Sequence, residues 1–218
     1  MIDNKKFEKI ISVFNEQKEI INNKCKNFKN ILKSGKSEDI FYEITYCILA
    51  AGTSAELALK TNENIIKEGF VLNANLSELV KELKKCYRFY NVRGEYILNT
   101  REYLKLKYSF DIKKMLNSNN DPIALRNQIA NDKNIRGLGM KAASHFLRNI
   151  GYDNLAILDI HVISLMKDLS LIPKNVKLTN KNYERIESIL RKFSVHVKIE
   201  LPKLDLVLWY MKTGKIIK

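Results

Sequence analysis

The chain has 218 residues, enough for one large domain or two small ones with a core of their own. Hydrophobic residues make up 45% and charged residues 28%, and 38 Lys+Arg against 24 Asp+Glu leave a net charge of +14, a surplus that attracts polyanions. No apolar run is long enough to span a bilayer, the N-terminal MIDNKKFEKIISVF carries charges inside its apolar pattern unlike a secretory signal, and the three cysteines form no CxxC pair. A membrane protein, a secreted disulfide scaffold and a locally ligated zinc or iron–sulfur site are therefore not expected, and a reduced, cytoplasmic protein is.

Only 8 Gly and 3 Pro punctuate the sequence, which favours helices throughout. Apolar residues from Phe7 to Leu32 recur at helical spacing and predict one long amphipathic helix, or two meeting near the middle, stopped at Ser34-Gly35. Ser37 is placed to cap a second helix running through FYEITYCILAA to Gly52. Thr53-Ser54 opens a third, ending near Gly69, and Ser77 is read as the cap of a helix over ELVKELKKC. The stretch YRFYNVRGEYILNTREYLK is aromatic and basic. Asp121-Pro122 starts a helix reaching about Asn134, with Pro at its first position. A short IRGLG turn and a helix from Met140 to Ile150 follow, then a helix capped by Asp159, then two more at 180–193 and 200–212. The fold class is all-α: one unit over 1–218, arranged as two helical lobes with no visible linker and a helix-hairpin-helix at about 122–150.

The hairpin IRGLGMKAA (135–143) is the informative motif. Gly137 and Gly139 permit positive φ and close backbone approach, and Leu138 between them can plug the helix pair. The helix that follows presents free amides and its positive dipole end to an anion such as a DNA phosphate. Contacts of that kind position a duplex without reading its sequence. A plain helical corner with no ligand would need the same glycines.

LGMKAASHFLRNIGYDNLAILDIHV resembles the helix-hairpin-helix DNA glycosylase superfamily and, within it, the archaeal-type 8-oxoguanine DNA glycosylase/lyases. FYEITYCILAAGTSAELA upstream and LDLVLWYMKTGKIIK at the C-terminal end extend the resemblance over most of the chain after about residue 37. The resemblance implies a bifunctional enzyme that flips a damaged base out of double-stranded DNA, releases it and cuts the strand. It implies no cofactor and a hairpin whose carbonyls can hold a structural monovalent cation; a monomer is the default for a duplex-clamping enzyme of this size. Lys141 matches the family's nucleophile, which attacks the sugar C1′, displaces the base and forms a Schiff base. Asp159 matches the aspartate that stabilises positive charge on the sugar and assists proton transfer. Lys218 and Trp209 match residues at the base pocket, the first through its main-chain carboxylate and the second as a stacking surface.

Phe89, within the aromatic-basic stretch, is a candidate for the other face of the base. Arg136, Gly137, Gly139, Thr53 and Ser54 are candidates for contact with the DNA backbone. Each has a plainer alternative: Lys141 as a solvated helix lysine, Asp159 and Ser54 as helix caps, Trp209 as core. The three histidines are too scattered for a metal cluster, although His145 and His161 flank the two catalytic candidates. Two rival functions remain open: the same scaffold acting on another damaged base, and a non-catalytic helix-hairpin-helix protein whose Lys141 only touches phosphate.

Overall fold

The computed structural model describes residues 4–218; the first three residues of the N-terminal segment read above lie outside it. Among the described residues there are thirteen helices and no strand. They are α1 (Asn4–Glu16), α2 (Lys18–Ser34), α3 (Ser37–Leu49), α4 (Ala55–Lys67), α5 (Phe70–Asn73), α6 (Leu76–Lys84) and α7 (Tyr90–Tyr108). The remainder are α8 (Ile112–Leu116), α9 (Pro122–Asn131), α10 (Met140–Asn149), α11 (Ile160–Asp168), α12 (Tyr183–His196) and α13 (Leu201–Thr213). No helix is long and apolar enough to cross a membrane.

Buried side chains fall into two clusters. One gathers α3 to α10 around Phe41, Ile44, Leu83, Ile97, Phe146 and Leu147. The other gathers α1, α2, α11, α12 and α13 around Ile10, Ile21, Met166, Ile186, Leu204 and Val207. The N-terminal helix belongs to this second core: Phe7 meets Phe193 edge-on at 6.5 Å and lies 5.4 Å from the His196 ring. Helix α10 borders both cores, since Ala143, Phe146 and Leu147 face the first while Met140 packs against the second.

Several caps follow the local sequence. Ser54 accepts the Leu57 amide at 3.2 Å, and Asp121 accepts the Ile123 and Ala124 amides at 3.2 Å each. Two expected caps are displaced. Ser37 is the first residue of α3 and not its cap; its hydroxyl accepts the Ile112 amide at 3.1 Å, tying α3 to α8. Ser77 lies inside α6, which is capped by Asn75 in a reciprocal box with Glu78.

One buried ion pair fixes the path of the chain toward Asp159. Arg126 on α9 is fully buried, and its two terminal nitrogens reach Glu187 of α12 at 3.3 and 3.2 Å. Glu187 also accepts the Ala156 amide at 2.9 Å. Tyr183, one turn earlier on α12, donates to the Ala156 carbonyl at 2.7 Å and accepts the Leu158 amide at 3.2 Å. Residues 155–158 have no helix or sheet to satisfy their backbone, and these side chains take up both groups of Ala156 and the amide of Leu158. Breaking such a pair leaves an uncompensated buried charge. Glu187→Ala is therefore expected to lower unfolding free energy by about 3–5 kcal/mol, read from chemical denaturation midpoints; a loss below about 1 kcal/mol would remove the pair from this role.

Candidate active site

The hairpin residues follow from local sterics. Ile135 and Leu138 are buried, and the chain between them turns at Gly137 with φ 85°. A Cβ there would lie 2.8 Å from Cδ2 of Tyr96 and 3.4 Å from Ile48, so both the angle and the fit require glycine. Gly139 departs from expectation. It takes φ −71° as the N-cap of α10, an ordinary angle, and a Cβ added to it meets nothing within 4 Å. Neither backbone strain nor internal packing asks for glycine at 139; the exposed position leaves open space in front of the uncapped α10 amides. Arg136 is exposed beside it.

Helical spacing sets Lys141, His145 and Arg148 on one face of α10. That face lines a small cavity of about 70 Å³ together with Tyr46, Thr53, Asp159, Asp205, Trp209 and Lys218. Lys141, Thr53, Asp159 and Trp209 also line an adjoining open cleft of about 810 Å³, whose other wall carries Ile160, His161, Ile163 and residues 176–178. Lys141 on α10 and Asp159 at the start of α11 thus face the same space. Lys141 makes no hydrogen bond or ion pair among the described residues, while Asp159 caps α11, accepting the Val162 amide at 2.7 Å through one oxygen. Trp209 is half-buried between the cavity and the cleft, with its ring edge-on to His161 at 5.4 Å.

The cavity holds polar groups that the protein does not satisfy. Tyr46 Oη, His145 Nε2, Arg148 Nη1 and Trp209 Nε1 are buried with no hydrogen-bond partner. Unpaired buried groups cost stability and are retained where something else completes them. Arg148 pairs with Asp205 at 3.1 Å, and its guanidinium lies 4.9 Å from the Phe28 ring centroid. Burial pushes the Asp205 carboxyl up to about 6; Arg148 opposes the rise, Asp159 adds to it and Lys141 opposes it. Burial holds His145 well below the ordinary imidazole range, reinforced by Arg148, Lys141 and Lys218, while the Lys218 main-chain carbonyl acts the other way. The imidazole is therefore neutral at pH 7.

The remaining expected residues are placed as follows. Thr53 lines both spaces, whereas Ser54 points into neither and caps α4. The loop carrying them is held from α7 and the turn before it: Tyr87 Oη donates to the Leu49 carbonyl and Arg93 to the Ala51 carbonyl at 2.9 Å. Phe89 does not line the cavity with Trp209. Its ring sits against Gly52, 3.2 Å from a would-be Cβ, under the Arg88 guanidinium at 4.4 Å. Tyr46, Arg148 and Asp205 were not singled out from the sequence, although Asp205 is a lone acid in the apolar run LPKLDLVLW and Arg148 lies two turns after Lys141. Among the described residues no group of three or more His, Cys, Asp or Glu could hold a metal ion.

Asp205 gives a pH prediction. Its folded-state value lies above the ordinary carboxylate range, so the folded chain binds this proton more tightly than the unfolded one. Its contribution is fully present below about pH 4 and is lost as pH rises through about 6. The stability of wild type relative to Asp205→Asn should therefore fall from pH 4 to pH 7 by an amount on the order of 1–3 kcal/mol, followed by denaturation at each pH. A pH-independent difference would mean that Asp205 stays ionised.

Known proteins resemble the chain over nearly its whole length. The family model of the 8-oxoguanine DNA glycosylases matches residues 21–199. An 8-oxoguanine DNA glycosylase/AP lyase of Methanocaldococcus jannaschii is 37% identical over 93% of this chain and 94% of its own, and one of Fusobacterium nucleatum is 34% identical over the whole of both. Among solved structures, the Methanocaldococcus jannaschii 8-oxoguanine glycosylase/lyase in complex with a 15mer DNA containing 8-oxoguanine superposes with a TM-score of 0.88 at 34% identity, covering 97% of this chain and 99% of that one. The Thermotoga maritima 8-oxoguanine DNA glycosylase gives a TM-score of 0.87 at 34% identity over 99% of each chain. With a family model spanning most of its length and relatives above 30% identity along nearly all of it, the chain belongs to the helix-hairpin-helix 8-oxoguanine DNA glycosylase family.

Proposed function

We propose that this protein is a bifunctional DNA repair enzyme that excises 8-oxoguanine from double-stranded DNA and cleaves the strand through a lysine Schiff base. The observation that carries the reading is a cavity lined by both Lys141 and Asp159, beside Trp209 and a set of unpaired polar atoms. A flipped oxidised purine presents a donor and acceptor edge to such atoms and a flat face to the indole. Residues 1–218 act as one unit, working as a monomer in the cytoplasm, with the two cores as lobes on either side of the DNA cleft. Thr53, Arg136, Gly137 and Gly139 face the DNA backbone, and Ser54 supports that surface by capping α4. The first amides of α10 take a phosphate. Phe89 takes the rim of the cleft beside Gly52 and Lys218 the inner wall of the base pocket.

In the reaction the Lys141 amine attacks the sugar C1′ and the bond from C1′ to the base breaks, the base leaving with its electron pair and taking a proton. Opening of the sugar ring gives a protonated Schiff base. Loss of a C2′ proton then expels the 3′ phosphate by β-elimination, and hydrolysis frees the lysine. Asp159, held by its α11 cap with one oxygen remaining, stabilises the positive charge that develops on the sugar. An amine must be neutral to attack. This chemistry runs on the lysine and asks for no cofactor. Carbonyls 136–138 accept no hydrogen bond among the described residues, which leaves oxygen donors for a structural monovalent cation at the turn.

Borohydride reduction on a duplex carrying one 8-oxoguanine tests the reading. Wild type should give a covalent complex and Lys141→Gln none. Trapping at an abasic site alone would keep the lyase and reopen the base; trapping at neither would leave a DNA-binding protein without this chemistry. Gly139→Ala tests the backbone contact. It should cost the fold no more than about 1 kcal/mol, as an altered N-cap, yet weaken binding to undamaged duplex. Unchanged binding would move the phosphate elsewhere.

A further inference from the structure

Lys141 stands at the hairpin end of α10, and Arg148 at the other end, roughly 10 Å farther along the axis. There Gly151 takes φ 101°, and a Cβ on it would lie 2.6 Å from Cα of Lys29, so the turn after α10 is pressed directly onto α2. Next to that contact a pocket of about 290 Å³ opens between α2, this turn and the start of α13. Cys25, Phe28, Arg148 and Pro202 are its buried residues; Lys26, Lys29 and Lys203 surround them with Asp153 and Glu200.

Arg148 is the centre of this pocket. Its side chain is 1% exposed, and it walls both this pocket and the cavity of Lys141 and Asp159. Asp205 takes Nη2 at 3.1 Å, the Phe28 ring centroid lies 4.9 Å from the guanidinium, and Nε and Nη1 are buried with no partner. A buried guanidinium with one partner keeps donors for an anion. The surrounding lysines add positive charge. Lys29 and Lys203 are offset by Asp153 and Glu200, at 3.2 Å each, while Lys26 makes no ion pair among the described residues. The Cys25 thiol registers the field: burial pushes it up, Arg148 and Lys203 oppose the rise, Glu200 adds to it and Lys29 opposes it.

We propose that this pocket binds a small oxyanion, a phosphate or sulfate group, on Arg148 and Lys26, and that the anion acts on the catalytic cavity through the shared guanidinium. Arg148 then divides its charge between Asp205 and the anion. Two negative groups on one guanidinium disfavour each other, so the anion favours the protonated form of Asp205. By linkage, a protonated Asp205 favours the anion. Asp205 also faces Asp159 and Lys141, and Arg148 faces Lys24, Cys25, Tyr46, Cys47 and His145. The Asp205→Asn variant separates its titration from theirs.

Sulfate is the probe, because it keeps its charge from pH 5 to pH 7.5. Titrated into the whole protein at constant ionic strength, it should occupy one site and shift the amide NMR signals of residues 25–29 and 151–153. Lys26→Gln should weaken binding roughly threefold, as an exposed charge. Arg148→Lys keeps the charge beside Asp205 and loses the planar donor set; it should weaken binding roughly tenfold. Wild type should bind roughly tenfold more tightly at pH 5 than at pH 7.5, and Asp205→Asn should remove that difference. Inorganic phosphate and ribose 5-phosphate tell the two sources apart: equal affinity identifies the free ion, and a tighter sugar phosphate identifies a monoester.

The proposal fails if no sulfate binds, if shifts fall only at residues 139–141, or if both variants bind as wild type does. A pH dependence that persists in Asp205→Asn overturns the coupling to the cavity. None of these readouts depends on excision, so the site is tested apart from the reaction at Lys141.

Discussion

The buried pair between Arg126 and Glu187 is the constraint on which the site depends. Arg126 lies on the helix before the hairpin, and Glu187 on a helix after Asp159. Glu187 holds the Ala156 amide, and Tyr183, against the Arg126 guanidinium at 5.0 Å, holds the Ala156 carbonyl and the Leu158 amide. Ser144 of α10 completes the set, accepting from Arg126 at 3.1 Å. Helices α9, α10 and α12 are thereby locked to the three residues that precede Asp159. Loops seldom run through an interior because their backbone goes unsatisfied; this one does, with side chains standing in for a sheet.

That arrangement explains how a helix from one core and a loop from the other meet at one cavity. Lys141 rides on α10, while Asp159 arrives on the segment held by α12. The walls are low in dielectric and rich in charge: Arg148 with Asp205, Lys218 with Glu43, and a neutral His145 between them. Electrostatic interactions are strong in such surroundings, and polar groups without partners are costly. The four buried polar atoms around the cavity that have no partner in the protein are the groups a ligand with a matching edge would satisfy.

Much of the helical pattern was legible because its causes are local. Ser54, Asp121 and Asp159 cap where the sequence places them, since an N-cap needs only its own next two or three amides. The single long N-terminal helix or pair resolves into two, divided at Gln17. Ser37 and Ser77 misled for the same local reason: a serine before an apolar run looks like a cap, and what Ser37 bonds lies 75 residues away. Helices α5 and α8, of four and five residues, are too short to show a period. The hairpin was legible as a motif but not in full, for Gly137 needs its positive φ and Gly139 does not. The cavity was half legible. Lys141, Asp159, Trp209 and Lys218 came through family resemblance, and the structure brings them together. Tyr46, Arg148, Asp205 and Glu43 depend on pairings across 57 to 175 residues or on burial alone, which no spacing reveals.

Asp159 carries a consequence for how this position can change over time. One of its oxygens serves the α11 amide, a task that serine, threonine or asparagine performs almost as well. The charge proposed to steady the sugar belongs to aspartate alone among good caps. Folding and chemistry therefore accept different alphabets at one site, and the first contains the second. Relatives that kept the scaffold but lost the reaction would drift here to Ser, Thr or Asn without unfolding. A lineage in which position 159 stays fixed while other helix caps exchange freely among those residues is one in which the reaction itself is under selection.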